Sequence, residues 1–337
     1  MFDHLIGNQS AKDVTGRFLT AGRVPNALLF AGPEGVGKKQ FAIELARSII
    51  CREGGGEACN TCSACRRAQA FKFPPSDERE EYKRVIFGEH PDVGMVIPYG
   101  RNILVDAIRA LEVKANFRPY EAASRVFIID NAHLMNDAAA NALLKTLEEP
   151  PATSHIFLVT SKPDALLPTI RSRSQILRFG PVNHTEIERL LLTTHEYSQE
   201  DAHLVATYSA GNVAAAIAAE LAPQRERVEL ALSILRGAIV DGDIVSLLRK
   251  AESVSDAKNK DDFEPFLDLL EVAINLVWSA RLGSEADVDS DIAELASQAD
   301  PSRLASLVIE IEEIRQTLAV NINRKVAVDA LMVSFAG

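Results

Sequence analysis

Cysteine is scarce in this 337-residue chain, and its four copies, Cys51, Cys59, Cys62 and Cys65, all fall within one short stretch. A disulfide scaffold of this length would need cysteines spread through the sequence, so the four read as one local site. No apolar run approaches the roughly 18 residues that a membrane helix needs. The opening residues, MFDHLIGNQS, carry no basic stretch followed by an apolar one, so no signal peptide is expected. Positive charge is in deficit. With 36 Lys and Arg against 47 Asp and Glu, the net charge is −11, which argues against a module whose whole surface is a basic nucleic-acid footprint. Local contacts with phosphates remain open. What is present, 47% hydrophobic and 25% charged residues, is ordinary globular composition and excludes a disordered or collagen-like chain. The length suggests two or three domains in a soluble, cytoplasmic protein.

From residue 1 to about 180, short apolar runs alternate with helical stretches. Ala27–Ala31, Val126–Ile129 closing on Asp130, and Ile156–Thr160 read as strands. Unbroken apolar strands of this kind suit a parallel sheet covered by helices on both faces, and their alternation with helices is the order of a doubly wound α/β domain. Helices are expected from about Lys38 to Ile50 and over 137–149, where Leu143, Leu144 and Leu147 share a face before Pro150-Pro151 ends the run. After Gly180-Pro181 the strand signal stops. Residues 184–222 read as a small helical unit, with Pro223 a plausible boundary. Longer amphipathic helices follow, including 263–282 and 302–320. The charged, proline-led segment Phe73–Gly88 is expected to be an exposed loop.

Gly32-Pro33-Glu34-Gly35-Val36-Gly37-Lys38 fits G-x-x-x-x-G-K, directly after a strand and opening a helix. Glycines in that position let backbone N–H groups curl around phosphates, the helix N-terminus adds its positive end, and Lys38 reaches the terminal phosphates. The hydroxyl residue that should follow the lysine and ligate Mg²⁺ is Lys39 here. Asp130 ends an apolar strand in the manner of a Walker B aspartate. The glutamate that would polarise an attacking water is replaced by Asn131, whose amide cannot accept a proton.

The run Asp130-Asn131-Ala132-His133 through Ala142-Leu143-Leu144-Lys145-Thr146-Leu147-Glu148-Glu149-Pro150-Pro151 closely resembles bacterial clamp-loader subunits of the AAA+ class. So do the opening Phe2-Asp3-His4-Leu5-Ile6-Gly7-Asn8-Gln9, the phrase Gly22–Phe30, and Ile170-Arg171-Ser172-Arg173-Ser174-Gln175, which looks like the family's Ser-Arg-Cys motif with Ser174 in place of the cysteine. The resemblance covers about residues 1–220. It implies an α/β AAA+ domain over 1–180 with an inserted zinc module at 51–65, a small helical lid over 181–222, and an all-α collar for oligomerisation over 223–337.

It further implies that Arg173, with Ser172, is an arginine finger for a neighbouring subunit's nucleotide, that Ser161 is a sensor position, and that the second-sensor arginine has become Ala214. Lys39, Asn131 and Ala214 all bear on the chain's own site, whereas the finger is intact. Within the family this pattern is most similar to the non-hydrolysing delta-prime branch of the DNA polymerase III loader. Such a subunit has no ATPase of its own, belongs to a DNA-directed DNA polymerase (nucleotidyltransferase) holoenzyme, and assembles with ATPase and delta subunits to load a sliding clamp on primed DNA. Residual ATP or ADP binding through Lys38 and the loop amides stays open. The alternatives are an active gamma/tau-like ATPase subunit and a stand-alone nucleotide-binding regulatory module.

The cysteines give C-x7-C-x2-C-x2-C, and Gly54-Gly55-Gly56 supplies flexible backbone to bring Cys51 back to the others. Four thiolates so spaced suit a closed, tetrahedral structural zinc site. An iron–sulfur cluster is the rival, although the nearby Cys-Pro of that pattern is missing. A redox dithiol is a third reading. The clamp-loader resemblance implies zinc in this place.

Overall fold

The computed structural model describes residues 1–54, 56–255, 263–283, 289–319 and 324–336. Their contacts divide the chain into two compact units, Met1–Glu186 with Gly211–Ala214, and Ile187–Ala210 with Ala215–Gly337.

The first unit is built on six strands: β1 (Ala27–Ala31), β2 (Ile86–Phe87), β3 (Val93–Val96), β4 (Arg125–Ile129), β5 (Ser154–Thr160) and β6 (Gln175–Arg178). Their spatial order is β2-β3-β4-β5-β1-β6, parallel throughout except for the β2–β3 pair. Helices α1 (Gln9–Thr20), α2 (Lys38–Ile50), α3 (Ser63–Arg67), α4 (Val105–Ala115), α5 (Asp137–Glu148) and α6 (Pro168–Arg173) complete it. Side chains alternate along each strand, so a strand buried on both sides feeds two cores. Leu28 and Phe30 of β1 join Phe41 and Leu45 of α2. Ala27, Leu29 and Ala31 join Ile108 of α4 and Leu143 and Leu147 of α5 on the opposite face. This double coverage is why β1, β4 and β5 read as continuous apolar runs.

The sheet positions the site. β1 sits between β5 and β6, and the loop after β1 lies at the carboxyl ends of the parallel strands, where open sheets of this kind take ligands. Asp130 follows directly after β4.

The segment Phe73–Gly88 is exposed over residues 75–80, as expected of a loop, but its second half is built into the fold. It contributes edge strand β2 and a 3-10 turn at Glu81–Lys83. Tyr82 is buried, donates its hydroxyl to the Pro74 carbonyl at 3.1 Å and packs edge-on against Tyr99. A short pair with β3, rather than a hydrophobic run of its own, recruits it to the sheet.

The second unit is helical. The remaining helices are α7 (His184–Thr194), α8 (Gln199–Tyr208), α9 (Val213–Ala218), α10 (Leu221–Arg236), α11 (Ile244–Ser255), α12 (Phe263–Arg281), α13 (Ser290–Gln298), α14 (Pro301–Ala319) and α15 (Arg324–Ala336). α12 and α14 match the amphipathic helices expected there, while Val320, like Gly55 of the glycine run, lies outside the described residues. Buried positions recur every three or four residues, as in Leu270, Ile274 and Val277 of α12 and Leu304, Leu307 and Ile311 of α14, and they form one core. No helix among the described residues is long and apolar enough to cross a membrane.

Candidate phosphate loop and metal centre

β1 ends at Ala31, and the chain turns through Gly32, Pro33, Glu34, Gly35, Val36 and Gly37 into α2. Gly35 and Gly37 have φ of 73° and 90°, where a side chain is strained. At Gly35 a Cβ would also come within 1.7 Å of Asn212 Oδ1, so that side chain would have to move. The Ala214 amide donates to the Gly35 carbonyl at 3.0 Å, so the segment Gly211–Ala214 lies against the loop. The position the family resemblance assigns to a second-sensor arginine is therefore beside the loop, and it carries a methyl group. α2 has no side-chain cap at Gly37, which leaves its first amides facing the loop.

Lys38 is buried, and its Nζ donates to the carbonyls of Gly32, at 2.8 Å, and Pro33. Burial lowers its pKa from the ordinary lysine value, opposed by the charges of Glu34 and Asp130. Lys39 points elsewhere. Its Nζ is 2.9 Å from Asp130 Oδ2 and 4.8 Å from the centre of the Phe73 ring. The other Asp130 oxygen accepts the Asn131 amide at 3.1 Å. P-loop sites ordinarily combine a hydroxyl after the lysine with a strand-end aspartate around Mg²⁺. Magnesium demands oxygen ligands in near-octahedral geometry, whereas an ammonium supplies only donors. With Lys39 on Asp130, these residues do not fit the metal.

Three residues at the site were not singled out from the sequence. His133 Nδ1 and Thr160 Oγ1 lie 3.1 Å apart, and Thr160 Oγ1 also accepts the Lys162 amide at 3.0 Å. Burial, reinforced by Lys162, lowers the His133 pKa and favours the neutral ring. Phe73 is the third. A polar residue ending an apolar strand was a legible signal for Thr160, whereas no local pattern linked Phe73 to Lys39. Ser161, next to Thr160, is half-buried.

Arg173 ends α6, away from this cluster. Its Nη2 is 2.8 Å from Glu148 Oε1 of α5, and its Nη1 donates to the Thr169 carbonyl at 3.1 Å. Its side chain is 36% exposed. Ser172 also donates to Thr169, and Ser174 is buried, donating to the Ile170 carbonyl at 3.0 Å.

The cysteines converge after α2. The Sγ atoms of Cys51, Cys59, Cys62 and Cys65 lie within 4.8 Å of one another. Tetrahedral zinc with bonds of about 2.3 Å would set sulfurs about 3.8 Å apart, so a small contraction suffices. Cys59 Sγ accepts the Cys62 amide, Cys62 Sγ accepts the Cys65 amide at the start of α3, and Asn60 takes φ 61° between them. These hydrogen bonds favour thiolates. A bond from Thr61, then one from Cys62, brings Cys59 down to about 6, while burial pushes Cys65 up to about 12. A dication supplies the charge that would ionise the last thiol, and the four residues fit a closed metal site.

A sequence model described as "DNA polymerase III, delta subunit" matches residues 7–79 and 75–183. The chain is 30% identical to DNA polymerase III subunit delta-prime of Bacillus subtilis over 316 residues, covering 89% of this chain and 88% of that protein. It is 31% identical to the Escherichia coli delta-prime subunit over 317 residues, covering 93% and 89%. The chain belongs to the DNA polymerase III delta-prime family. Similarity to the gamma/tau subunit of Mycobacterium tuberculosis is 35% over 174 residues, but covers only 51% of this chain and 27% of that protein. With its P-loop and parallel order β3-β4-β5-β1-β6, the first unit is an AAA+ domain, and a helical unit follows it.

In this delta-prime family chain the cysteine cluster is tied to the sheet through Glu121 and Asp92. Glu121 pairs with Arg67 of α3 and with Arg52 beside Cys51. The Asp92 carboxylate accepts the amides of Tyr120, Glu121 and Ala122 at 2.8–3.0 Å, fixing the loop that carries Glu121. Asp92 in turn lies 3.4 Å from the Nε of buried Arg125, whose guanidinium donates to the Lys114 and Pro91 carbonyls.

Proposed function

We propose that this chain is a non-hydrolysing clamp-loader subunit that supplies Arg173 in trans to a neighbouring ATPase subunit. The observation that carries the reading is the contrast between its two sites. The chain's own loop pairs Lys39 with Asp130, beside Asn131 and Ala214. Arg173, by contrast, sits partly exposed at the end of α6. A guanidinium there offers a planar fork of donors to charge developing on a γ-phosphate. Residues 181–222 act as the lid and 223–337 as the collar that packs with ATPase and delta subunits. The hetero-oligomer loads a sliding clamp on primed DNA in the cytoplasm, as part of a DNA-directed DNA polymerase holoenzyme. Cys51, Cys59, Cys62 and Cys65 hold a structural zinc that shapes the module after α2 and takes no part in chemistry. Lys38 and the loop amides retain ATP or ADP without hydrolysis, with Ser161 at the edge of the site.

The test is ATP turnover by a loader reconstituted with clamp and primed DNA, comparing this chain with Arg173→Ala and monitoring assembly by gel filtration. Turnover should fall at least about tenfold with assembly intact, in line with the large effect of arginine fingers. Unchanged turnover would remove the finger assignment. Substantial turnover by the isolated chain would instead make it an active ATPase subunit.

A further inference from the structure

We propose that Lys39 is a built-in cation which replaces the divalent metal of the phosphate loop, so that the site takes free nucleoside di- or triphosphate without magnesium. The inference rests on reading Gly32–Lys38 as a phosphate-binding loop. It goes beyond that reading by assigning the form of the ligand and the residue that selects it.

The argument starts from position. Lys39 occupies the place in the motif where a hydroxyl ordinarily meets the metal, and Asp130 is the strand-end carboxylate that ordinarily faces that metal. Here the two are joined directly, Nζ to Oδ2, at 2.9 Å. An ammonium has three donors and a single positive charge. It can therefore use one donor on Asp130 and present the others to a phosphate oxygen, which is the bridging task of the metal carried out by a side chain.

Two features favour this arrangement over a passing surface ion pair. Asp130 is largely buried, with 13% of its side chain exposed, so its charge needs a fixed partner. The Lys39 ammonium also lies 4.8 Å from the centre of the Phe73 ring, which stacks at 7° on Phe71. A ring face attracts a cation, so Asp130 and Phe73 together restrain the ammonium. A divalent ion entering beside it would meet like charge and lose a ligand, since Asp130 is engaged. Lys38 carries a second positive charge at the loop, held now by the carbonyls of Gly32 and Pro33. The two adjacent lysines thus offer the polyphosphate the charge that one lysine and a metal would supply.

The proposal is tested by calorimetric titration of ADP and ATP into the full chain, once with excess EDTA and once with excess Mg²⁺. ADP should bind in EDTA at least as tightly as in Mg²⁺. Lys39→Ser should weaken binding in EDTA by about tenfold, the loss of one charge-assisted contact, and should make Mg²⁺ strengthen it. Lys38→Ala should weaken binding in both buffers. If the unaltered chain binds only with Mg²⁺, the built-in cation is refuted while the phosphate loop stands. If it binds neither nucleotide in either buffer, both readings fall. If Lys39→Ser keeps the unaltered response to Mg²⁺, Lys39 is not the selecting residue. Circular dichroism establishes that the variants are folded, and the titration of the unaltered chain decides the matter without them.

Discussion

Lys39 Nζ lies 2.9 Å from Asp130 Oδ2, joining the first turn of α2 to the end of β4. Two other changes disable the same site. Asn131 offers no base, and Ala214, held at the loop by the hydrogen bond its N–H donates to the Gly35 carbonyl, offers no guanidinium. The isolated chain should therefore release no phosphate from ATP above background. Lys39→Thr alone should not change this, because the water-polarising group is still missing. The triple change Lys39→Thr, Asn131→Glu, Ala214→Arg is the smallest set expected to show turnover in a phosphate-release assay.

Arg173 makes a further prediction through its partner Glu148. The pair is exposed on both sides, so holding it contributes under about 1 kcal/mol. Glu148→Gln should change turnover of a reconstituted loader by no more than about fivefold. Arg173→Lys should behave like Arg173→Ala, because a point charge on a flexible stem does not reproduce a planar fork of donors. Restoration of turnover by lysine would show that charge alone is needed at this position.

How much of this was legible in sequence follows from how local each feature is. β1, the P-loop and α2 are contiguous, and each has its own signature in apolar runs, glycines and helical spacing. β4 and β5 announced themselves because burial on both faces demands unbroken apolar residues. β2 and the burial of Tyr82 did not, since both depend on β3 and Tyr99, which lie farther along the chain. The convergence of the cysteines was readable from spacing, whereas the anchoring of Glu121 by Asp92 spans 29 positions and has no local mark. The Lys39–Asp130 pair is intermediate. Each residue stood out as a departure or a motif, but only the fold brings a helix start and a strand end together.

A zinc ion on the four cysteines, as proposed, predicts a stability effect separable from activity. Purified protein should contain about one zinc per chain, and chelation should lower the melting temperature. A loss of about 3 kcal/mol would correspond to roughly 6–12 °C for a unit of this size. Cys65→Ser should cost more than Cys59→Ser, because Cys65 is buried and its position is fixed by Arg47, whose Nε donates to the Cys65 carbonyl at 3.0 Å. Metal analysis alongside differential scanning calorimetry checks both statements.

Asp92 and Arg125 are both buried, and each holds several backbone groups. Removing one partner leaves the other charge without compensation in the interior, a loss of about 3–5 kcal/mol. Asp92→Ala should therefore lower stability by that amount in denaturant unfolding. It should also free the loop at Tyr120–Ala122, raising amide exchange there more than in β1. A loss below about 1 kcal/mol would show that the pair is not what fixes the loop.

Acid should destabilise the first unit through its histidines. Burial lowers the pKa of His90, His133 and His155 below the ordinary 6.5. His155 is buried, with Nδ1 3.0 Å from the Pro25 carbonyl, which partly opposes the effect of burial. Below the ordinary value the unfolded chain takes up protons that the folded chain refuses, so stability must fall with pH. This contribution is complete above 6.5 and is lost as pH drops from there toward the folded-state values. Each histidine that titrates only in the unfolded chain adds a slope of about 1.4 kcal/mol per pH unit. The melting temperature should accordingly stay level between about pH 7 and 8 and decline between about pH 6.5 and 5. His155→Gln, which cannot titrate, should melt lower at neutral pH but show a shallower acid decline. An equal or steeper decline in that variant would assign the acid sensitivity to other groups.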